Sequence, residues 1–135
     1  MSKHYSSSED KSRGLRDERI ARGRRAEQLA ADYLIGQGYE ILHRNWRCRS
    51  GELDLVAKKE GVLVVVEVRS RKSRNSAFGT PAESVTARKI KQVRDTAAIY
   101  FQRTGKSAAL IRFDVVAVTF GLGDELTLEH IKAAF

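Results

Sequence analysis

Cysteine, proline, tryptophan and methionine each occur once in the 135 residues, and no apolar run approaches the ~18 residues that a membrane-spanning helix needs. Lone Cys48 cannot form an intrachain disulfide. Residues 1–8 lack the apolar core of a secretory signal. These absences predict a soluble protein of a reducing, cytoplasmic compartment that does not act in a membrane.

The sequence carries a large excess of positive charge. Lys and Arg number 25 against 17 Asp and Glu, which gives a net charge of +8 and a pI near 9.9. Residues 1–19 hold five basic and four acidic side chains, so the excess lies in the rest of the chain. It falls into four clusters: Arg22, Arg24 and Arg25; Arg44, Arg47 and Arg49; Arg69, Arg71, Lys72 and Arg74; Arg88, Lys89, Lys91 and Arg94. Such clusters favour an acidic partner such as nucleic acid, but a solvated surface explains them equally well.

The length of the chain predicts one domain. A domain typically has roughly 100–200 residues, and a chain of this size can enclose a single core. Residues 1–19 are rich in serine and charge and poor in large apolar groups, which predicts a flexible basic and polar tail. The folded domain is therefore expected to span residues 20–135.

Apolar periodicity predicts an amphipathic helix followed by a strand. The helical stripe lies between Gly23 and Gln37 and consists of Ala26, Leu29, Ala30, Tyr33 and Leu34. Gly36 and Gly38 are expected to end this helix. Residues 39–47, with Tyr39, Ile41 and Trp46 as apolar contacts, fit a first strand.

Residues 51–70 predict a β-hairpin with a short turn at Lys58 to Gly61. If the turn centres between Glu60 and Gly61, partner residue numbers sum to 121. Asp54 would then lie opposite Glu67, and Glu52 opposite Arg69. A β-bulge would shift this register.

The remaining pattern predicts a second helix and a second hairpin. Residues 70–80 fit a basic loop, after which Thr80 with Pro81 fits a helix N-cap and Thr86 is the alternative. The helix should end at Gly105, with the following apolar residues on its inner face: Ile90, Val93, Ala97, Tyr100 and Phe101. Residues 109–120 and 125–131 fit two strands. The order α, three strands, α, two strands predicts a mixed α/β fold with helices on a central sheet.

Carboxylates inside apolar strands predict a cation site. Glu67 stands in the strand "VLVVVEVRS", and the hairpin brings it to Asp54. Because carboxylate oxygens suit hard ions, Mg²⁺ is the expected cation and Mn²⁺ the alternative. The competing interpretation is that Arg69 pairs with Glu67 or Glu52 and no metal is needed.

On spacing alone, other polar residues are weaker candidates for a functional site. Glu27 flanks the stripe of the first helix, where solvent is the favoured surrounding. His43 and His130 fit no zinc pattern and are expected at the surface. Cys48 and the serines show no sign of an activated nucleophile.

Six segments together resemble the YraN-type family of bacterial endonuclease-like proteins. They are "GRRAEQLAADYL", "GYEILHRN", "SGELDLVA", "VVVEVRSR", "FGTPAESVTARKIKQV" and "RFDVVAV", and the resemblance spans roughly residues 23–135. It implies the restriction-endonuclease-like fold, with its PD-(D/E)-x-K metal site, and a relation to archaeal Holliday junction resolvases.

The resemblance also implies roles for individual residues. Asp54 and Glu67 match the two metal-binding acids of the motif, and Glu27 matches the helix glutamate of resolvase relatives. Arg69 takes the place of the motif lysine. Because arginine is a poor general base, its implied role is to clamp phosphate. The remaining implied contacts, Arg71 and Lys89, are to the DNA backbone.

Two functions follow as hypotheses. The first is a Mg²⁺-dependent DNA endonuclease or junction resolvase, working as a homodimer because branched DNA needs two active sites. The second is an inactive nucleic-acid-binding scaffold that keeps the nuclease fold, for which Arg69 in the lysine position is the best argument. RNA binding through exposed aromatic residues has little support, because Tyr and Phe fall mostly on predicted inner faces.

Overall fold

The computed structural model describes residues 8–73, 85–106 and 110–135, with side chains from Lys11 onward. It contains two helices and five strands in the order α, three strands, α, two strands. Their bounds are α1 Ser8–Gly36, β1 Glu40–Cys48, β2 Gly51–Lys59, β3 Val62–Lys72, α2 Ala87–Thr104, β4 Leu110–Phe120 and β5 Leu126–Ile131. The mixed α/β architecture predicted from the sequence is confirmed.

The five strands form one sheet in the order β1-β2-β3-β4-β5. The pair β3 and β4 is parallel, and the other three pairs are antiparallel. A parallel connection needs a crossover, which α2 supplies. Glu67 therefore lies on the central strand, where its neighbour across the parallel pair is Val115.

The two helices cover opposite faces of the sheet. On one face, Ala26, Ala30 and Leu34 of α1 are fully buried against apolar side chains that include Val64 and Val116. On the other face, the buried side chains of α2 and the sheet are Leu53, Val56, Val65, Val93, Ala97 and Tyr100. The predicted inner stripes of both helices are thus confirmed, and the central strands β2, β3 and β4 are buried on both faces.

Helix α1 begins much earlier than its apolar stripe predicts. The stripe places the start near Gly23, whereas the helix starts at Ser8 and ends at Gly36. Side chains 11–21 are exposed, and the first fully buried side chain is that of Ala26. Apolar periodicity reports only the part of a helix that packs, so it missed the exposed turns within the segment predicted as a tail.

The β2–β3 hairpin has the register that the sequence predicts. Its partners run from Lys59↔Val62 to Leu55↔Val66, and their numbers sum to 121. Glu60 and Gly61 both have positive φ values, 51° and 79°. This matches the two-residue turn that fits the right-handed twist of a hairpin, and glycine adopts it without steric cost.

Thr86 caps α2, which settles the choice between the two candidate caps. Its side-chain oxygen accepts a hydrogen bond of 3.2 Å from the backbone N–H of Lys89. The alternative, Thr80 with Pro81, lies outside the described residues. The helix ends where predicted, because Gly105 takes the left-handed conformation at φ 67°.

Replacing Thr86 by alanine should lower the free energy of unfolding by about 1 kcal/mol, because the N–H of Lys89 loses its acceptor. Thr86→Ser keeps a hydroxyl and should recover most of the loss. Urea denaturation of the three proteins measures the difference. Equal stability of the alanine and serine variants would contradict the capping role.

Candidate metal and nucleic-acid site

Asp54 and Glu67 lie side by side where the β2–β3 ladder stops. The last paired residues are Leu55 and Val66, so the hairpin register carries these two carboxylates to the next position. Asp54 Oδ2 accepts a hydrogen bond of 2.8 Å from the backbone N–H of Val68. That contact holds the Asp54 side chain against β3, beside Glu67.

Burial and mutual repulsion dominate the electrostatics of this pair. Burial, followed by the charge of Glu67, raises the pKa of Asp54 to about 7, against the lowering effects of the Val68 N–H and Lys89. Two adjacent carboxylates resist ionising together, since each charge disfavours the other. The pair therefore favours either a proton or a cation between its oxygens.

Lys89 is the cation that accompanies Glu67. The Lys89 Nζ lies 3.3 Å from Glu67 Oε1, and the residue Glu67 is only 4% exposed. Lys89 stands in the first turn of α2, where the Thr86 cap fixes the backbone. The contact with the DNA backbone that the resemblance implies for Lys89 stays a prediction, and the fold places its ammonium at Glu67.

Arg69 does not form the ion pair that the metal-free interpretation expects of it in the described residues. Within residues 8–73, 85–106 and 110–135, its side chain forms no ion pair with Glu67 or Glu52. Glu52 instead lies 3.5 Å from Arg47 Nε. Arg69 is half-buried on β3, opposite Ala117 of β4, two residues beyond Glu67.

Glu27 reaches the sheet rather than solvent. Its side chain is half-buried, and burial together with the charge of Asp54 raises its pKa, while a hydrogen bond to the Asn45 side chain opposes that rise. Asn45 has a positive φ of 51°, a conformation that asparagine adopts more readily than most residues. Sequence reasoning missed Asn45; its signal was an asparagine inside a predicted strand.

The donor set fits a hard divalent ion held by few protein ligands. Within the described part of the chain, no three acidic, imidazole or thiol groups converge closely enough to chelate an ion by themselves. Two do converge, Asp54 and Glu67. Mg²⁺ typically takes one or two protein carboxylates and completes its shell with water and phosphate oxygens, so this pair suits it.

Arg71 lies further along β3. Its Nε donates a hydrogen bond of 3.3 Å to Thr119 Oγ1 on the adjacent strand β4. The Arg71 side chain is half-buried. Arg69 and Arg71 thus follow Glu67 at alternate positions, which places all three on the same face of the strand.

His43 and His130 are partly buried and contact polar side chains of the core, so their expected surface placement was wrong. His43 Nδ1 lies 2.6 Å from the hydroxyl of buried Tyr100. His130 Nε2 lies 2.7 Å from Asp114 Oδ2, and its Nδ1 lies 3.1 Å from the hydroxyl of Tyr33. Each imidazole satisfies a polar group that would otherwise be buried without a partner, which explains its placement.

Asp114 is a fully buried acid that sequence reasoning did not single out. Its carboxylate accepts two hydrogen bonds of 2.8 Å from Arg112, one from each of two guanidinium nitrogens. The backbone N–H of Ala133 donates a further one at 3.0 Å. Like Glu67, it is an acid inside an apolar strand, and that signal could have identified it.

No helix in the described ranges is both long and apolar enough to cross a membrane. This agrees with the absence of a long apolar run from the sequence.

Comparison with known proteins identifies the family. The model of "Uncharacterised protein family UPF0102" matches residues 26–118. The chain belongs to the UPF0102 family. A UPF0102 protein of Rhodococcus opacus is 43% identical over 116 residues, 86% of this chain and 97% of the relative. A relative from Trichlorobacter lovleyi is 46% identical over 110 residues, 81% of this chain and 85% of the relative. One from Symbiobacterium thermophilum is 45% identical over 113 residues, 84% of this chain and 94% of the relative.

The range matched by the UPF0102 model contains the whole carboxylate site. Glu27, Asp54, Glu67 and Lys89 all fall within residues 26–118, as does Asp114. The exposed first turns of α1 and the strand β5 lie outside it. The family unit therefore coincides with the part of the fold that positions the site.

Proposed function

We propose that this UPF0102 protein is a Mg²⁺-dependent DNA endonuclease with a restriction-endonuclease-like fold. The observation that carries the proposal is the juxtaposition of Asp54 and Glu67 at the open end of the hairpin, with Lys89 beside them. The order α, three antiparallel strands, α and a parallel fourth strand supports the fold assignment. So does the sequence resemblance to the YraN-type family, which implies a relation to the junction resolvases.

Asp54 and Glu67 would hold the ion, and Glu27, oriented by Asn45, would contribute from the α1 side. A bound Mg²⁺ would polarise a phosphodiester and lower the pKa of a bound water. The Val68 N–H keeps Asp54 in place, so its carboxylate is ordered before any ligand arrives. Preorganisation of this kind removes an ordering cost from the reaction itself.

Lys89 and Arg69 would divide the work of the motif lysine. A lysine ammonium carries three rotatable donors, whereas the guanidinium of an arginine is a fixed planar fork. Lys89 lies against Glu67, so its ammonium is placed to donate a hydrogen bond to an attacking water and to stabilise negative charge that develops on the phosphate. Arg69 lies on the same strand as Glu67, and its guanidinium suits bidentate contact with a phosphate.

The substrate is proposed to be DNA, including branched DNA. Arg71 continues the row of Arg69 along β3, and both would contact backbone phosphates. Binding through phosphates releases counterions, so affinity should fall steeply between 50 and 200 mM salt. Cleavage of a four-way junction would need two active sites, and therefore a homodimer.

Cleavage of labelled single-stranded, duplex, flap and four-way-junction DNA tests the proposal. With Mg²⁺ or Mn²⁺ we expect cutting of at least one of these structures, and with EDTA none. The structure that is cut fastest names the substrate class. DNA binding without any cutting, in either metal, would contradict the nuclease function.

The alternative is an inactive nucleic-acid-binding scaffold, and two observations favour it. Lys89 already supplies a cation to Glu67, and Arg69 stands in the lysine position. A scaffold would bind DNA equally well in EDTA and in Mg²⁺. A nuclease site should instead be stabilised by the metal, with a rise in Tm that Asp54→Asn removes.

A further inference from the structure

A basic cavity of about 510 Å³ lies at the ends of β3 and β4, next to α1. Its lining residues are Ala21, Arg22, Arg25, Lys72, Ser73, Phe120, Gly121, Leu122 and Gly123. The volume falls in the range of sites that hold small molecules. Glu27, Asp54, Glu67 and Lys89 do not line it, so this cavity is distinct from the proposed metal site.

Among the residues that the structure describes, three cations, Arg22, Arg25 and Lys72, line the cavity and no acidic residue does. Glu125, whose side chain lies beside Gly121, is not part of the lining. The Nε of Arg22 is buried and, in the described part of the chain, has no hydrogen-bond partner. Guanidinium groups match the oxygens of phosphate especially well.

An apolar wall faces these cations. Leu122 is 87% exposed, and Phe120 is half-buried beside it in the lining. The Arg25 guanidinium carbon lies 5.7 Å from the centroid of the Phe120 ring, a cation–π contact that helps to keep the guanidinium in place. A simple anion would gain nothing from such a wall. A ligand with a phosphate and a flat, weakly polar ring would contact both the cations and the apolar wall.

We propose that this cavity binds one nucleoside monophosphate unit of a nucleic-acid strand. Arg22, Arg25 and Lys72 hold its phosphate, and Phe120 and Leu122 contact its base. Stacking on an aromatic side chain beside a basic groove is the usual mode of single-strand binding. The choice of a strand as the source of this unit rests on the proposed function.

The cavity and the proposed metal site share two elements of the fold. Lys72 and Glu67 stand on the same strand, five positions or about 16 Å apart at a rise of ~3.3 Å per residue. Arg22, Arg25 and Glu27 likewise stand on the same helix. Because five is an odd number of positions, Lys72 and Glu67 face opposite sides of β3, and a strand bound at both places would have to pass around the end of the sheet.

Titration followed by NMR tests the site without any need for cleavage. The labelled protein in EDTA is titrated with thymidine 5′-monophosphate, thymidine, inorganic phosphate and the oligonucleotide (dT)6. We expect the monophosphate to shift the amide signals of Gly121, Leu122 and Gly123. Thymidine lacks the phosphate contacts and inorganic phosphate lacks the base contacts, so each should bind at least about tenfold more weakly than the monophosphate. The oligonucleotide (dT)6 should bind more tightly than the monophosphate.

Two neighbouring arginines provide a matched pair of variants. Arg25→Gln should weaken monophosphate binding about tenfold, because it removes a charged donor from the lining. Arg24→Gln, exposed and outside the lining, should change it less than twofold. Phe120→Leu keeps an apolar wall but removes the ring, and should reduce the preference for the monophosphate over phosphate.

Four results would overturn the proposal: no amide shifts at residues 121–123, phosphate binding as tightly as the monophosphate, equal losses in both arginine variants, or monophosphate binding without (dT)6 binding. Because EDTA prevents metal-dependent cutting, failure here leaves the nuclease proposal intact. Conversely, a protein that cuts no DNA would still give the titration result if the cavity binds nucleotides.

Discussion

Replacing Glu67 by glutamine should reduce metal-dependent cleavage at least 100-fold. The carboxylate is one of two adjacent acids that would hold the ion, and the amide keeps its shape while losing its charge. Loss of groups that merely orient metal ligands already costs roughly 10- to 100-fold, so loss of a ligand should cost more. The measurement is the single-turnover rate on whichever DNA the parent cuts fastest.

Glu129→Gln is the matched control for this variant. Glu129 is an exposed acid on β5, outside the site, and the same change of charge there should alter the rate less than twofold. The Tm of both variants should be recorded, because Glu67→Gln leaves Lys89 without its carboxylate. A folded Glu67→Gln protein that cuts DNA at the parent rate would remove Glu67 from the mechanism.

Replacing Asp114 by asparagine should lower the free energy of unfolding by about 3–5 kcal/mol, as breaking a buried ion pair typically does. Asp114 is fully buried, and Arg112, His130 and the Ala133 N–H all contact its carboxylate. A neutral asparagine cannot balance the Arg112 charge. Its NH2 group would also face an N–H donor of Arg112 or Ala133, which the carboxylate oxygen of Asp114 accepts from. Urea denaturation at neutral pH measures the loss.

Asp95→Asn is the control for Asp114→Asn. Asp95 forms an exposed ion pair with Lys91 one turn earlier in α2, at 2.7 Å. Exposed pairs of this spacing contribute roughly 0.3–0.5 kcal/mol, so this variant should be close to the parent. Equal losses in the two aspartate variants would mean that the buried network has no special role in stability.

The same carboxylate predicts how stability depends on pH. Burial alone would raise the pKa of Asp114, but the hydrogen bonds from Arg112, Ala133 and His130 outweigh it and bring the pKa below the ordinary 3.8. The ionised group therefore stabilises the fold above about pH 4, and this contribution is lost as the pH falls further. The difference between the parent and Asp114→Asn should accordingly shrink below pH 4. A difference that grew with acid would contradict this assignment.

Most of the fold could be predicted from local patterns. Apolar stripes gave the packed faces of both helices, and the Glu60–Gly61 turn gave the hairpin register, because both depend on neighbours in sequence. The exposed turns of α1 leave no apolar signal, so its start at Ser8 was not foreseen. The parallel pairing of β3 with β4 depends on a crossover and has no local signature.

The site was predictable only in part, because its ion pairs cross long stretches of sequence. The hairpin register placed Asp54 beside Glu67 in advance. The partner of Glu67 could not be inferred in the same way, since Lys89 comes from α2 and meets β3 only after the layers pack. Likewise, Tyr33 and His130 are 97 residues apart, so the polar role of His130 depends on tertiary structure alone.

Direct titration of the protein with Mn²⁺ and Mg²⁺ tests whether Asp54 and Glu67 together bind a divalent cation. Calorimetry on the parent, Asp54→Asn and Glu129→Gln needs no DNA and no activity. We expect a single site in the parent and in Glu129→Gln, with affinity at least tenfold weaker in Asp54→Asn. Equal metal binding by the parent and Asp54→Asn, or none by the parent, would contradict this expectation.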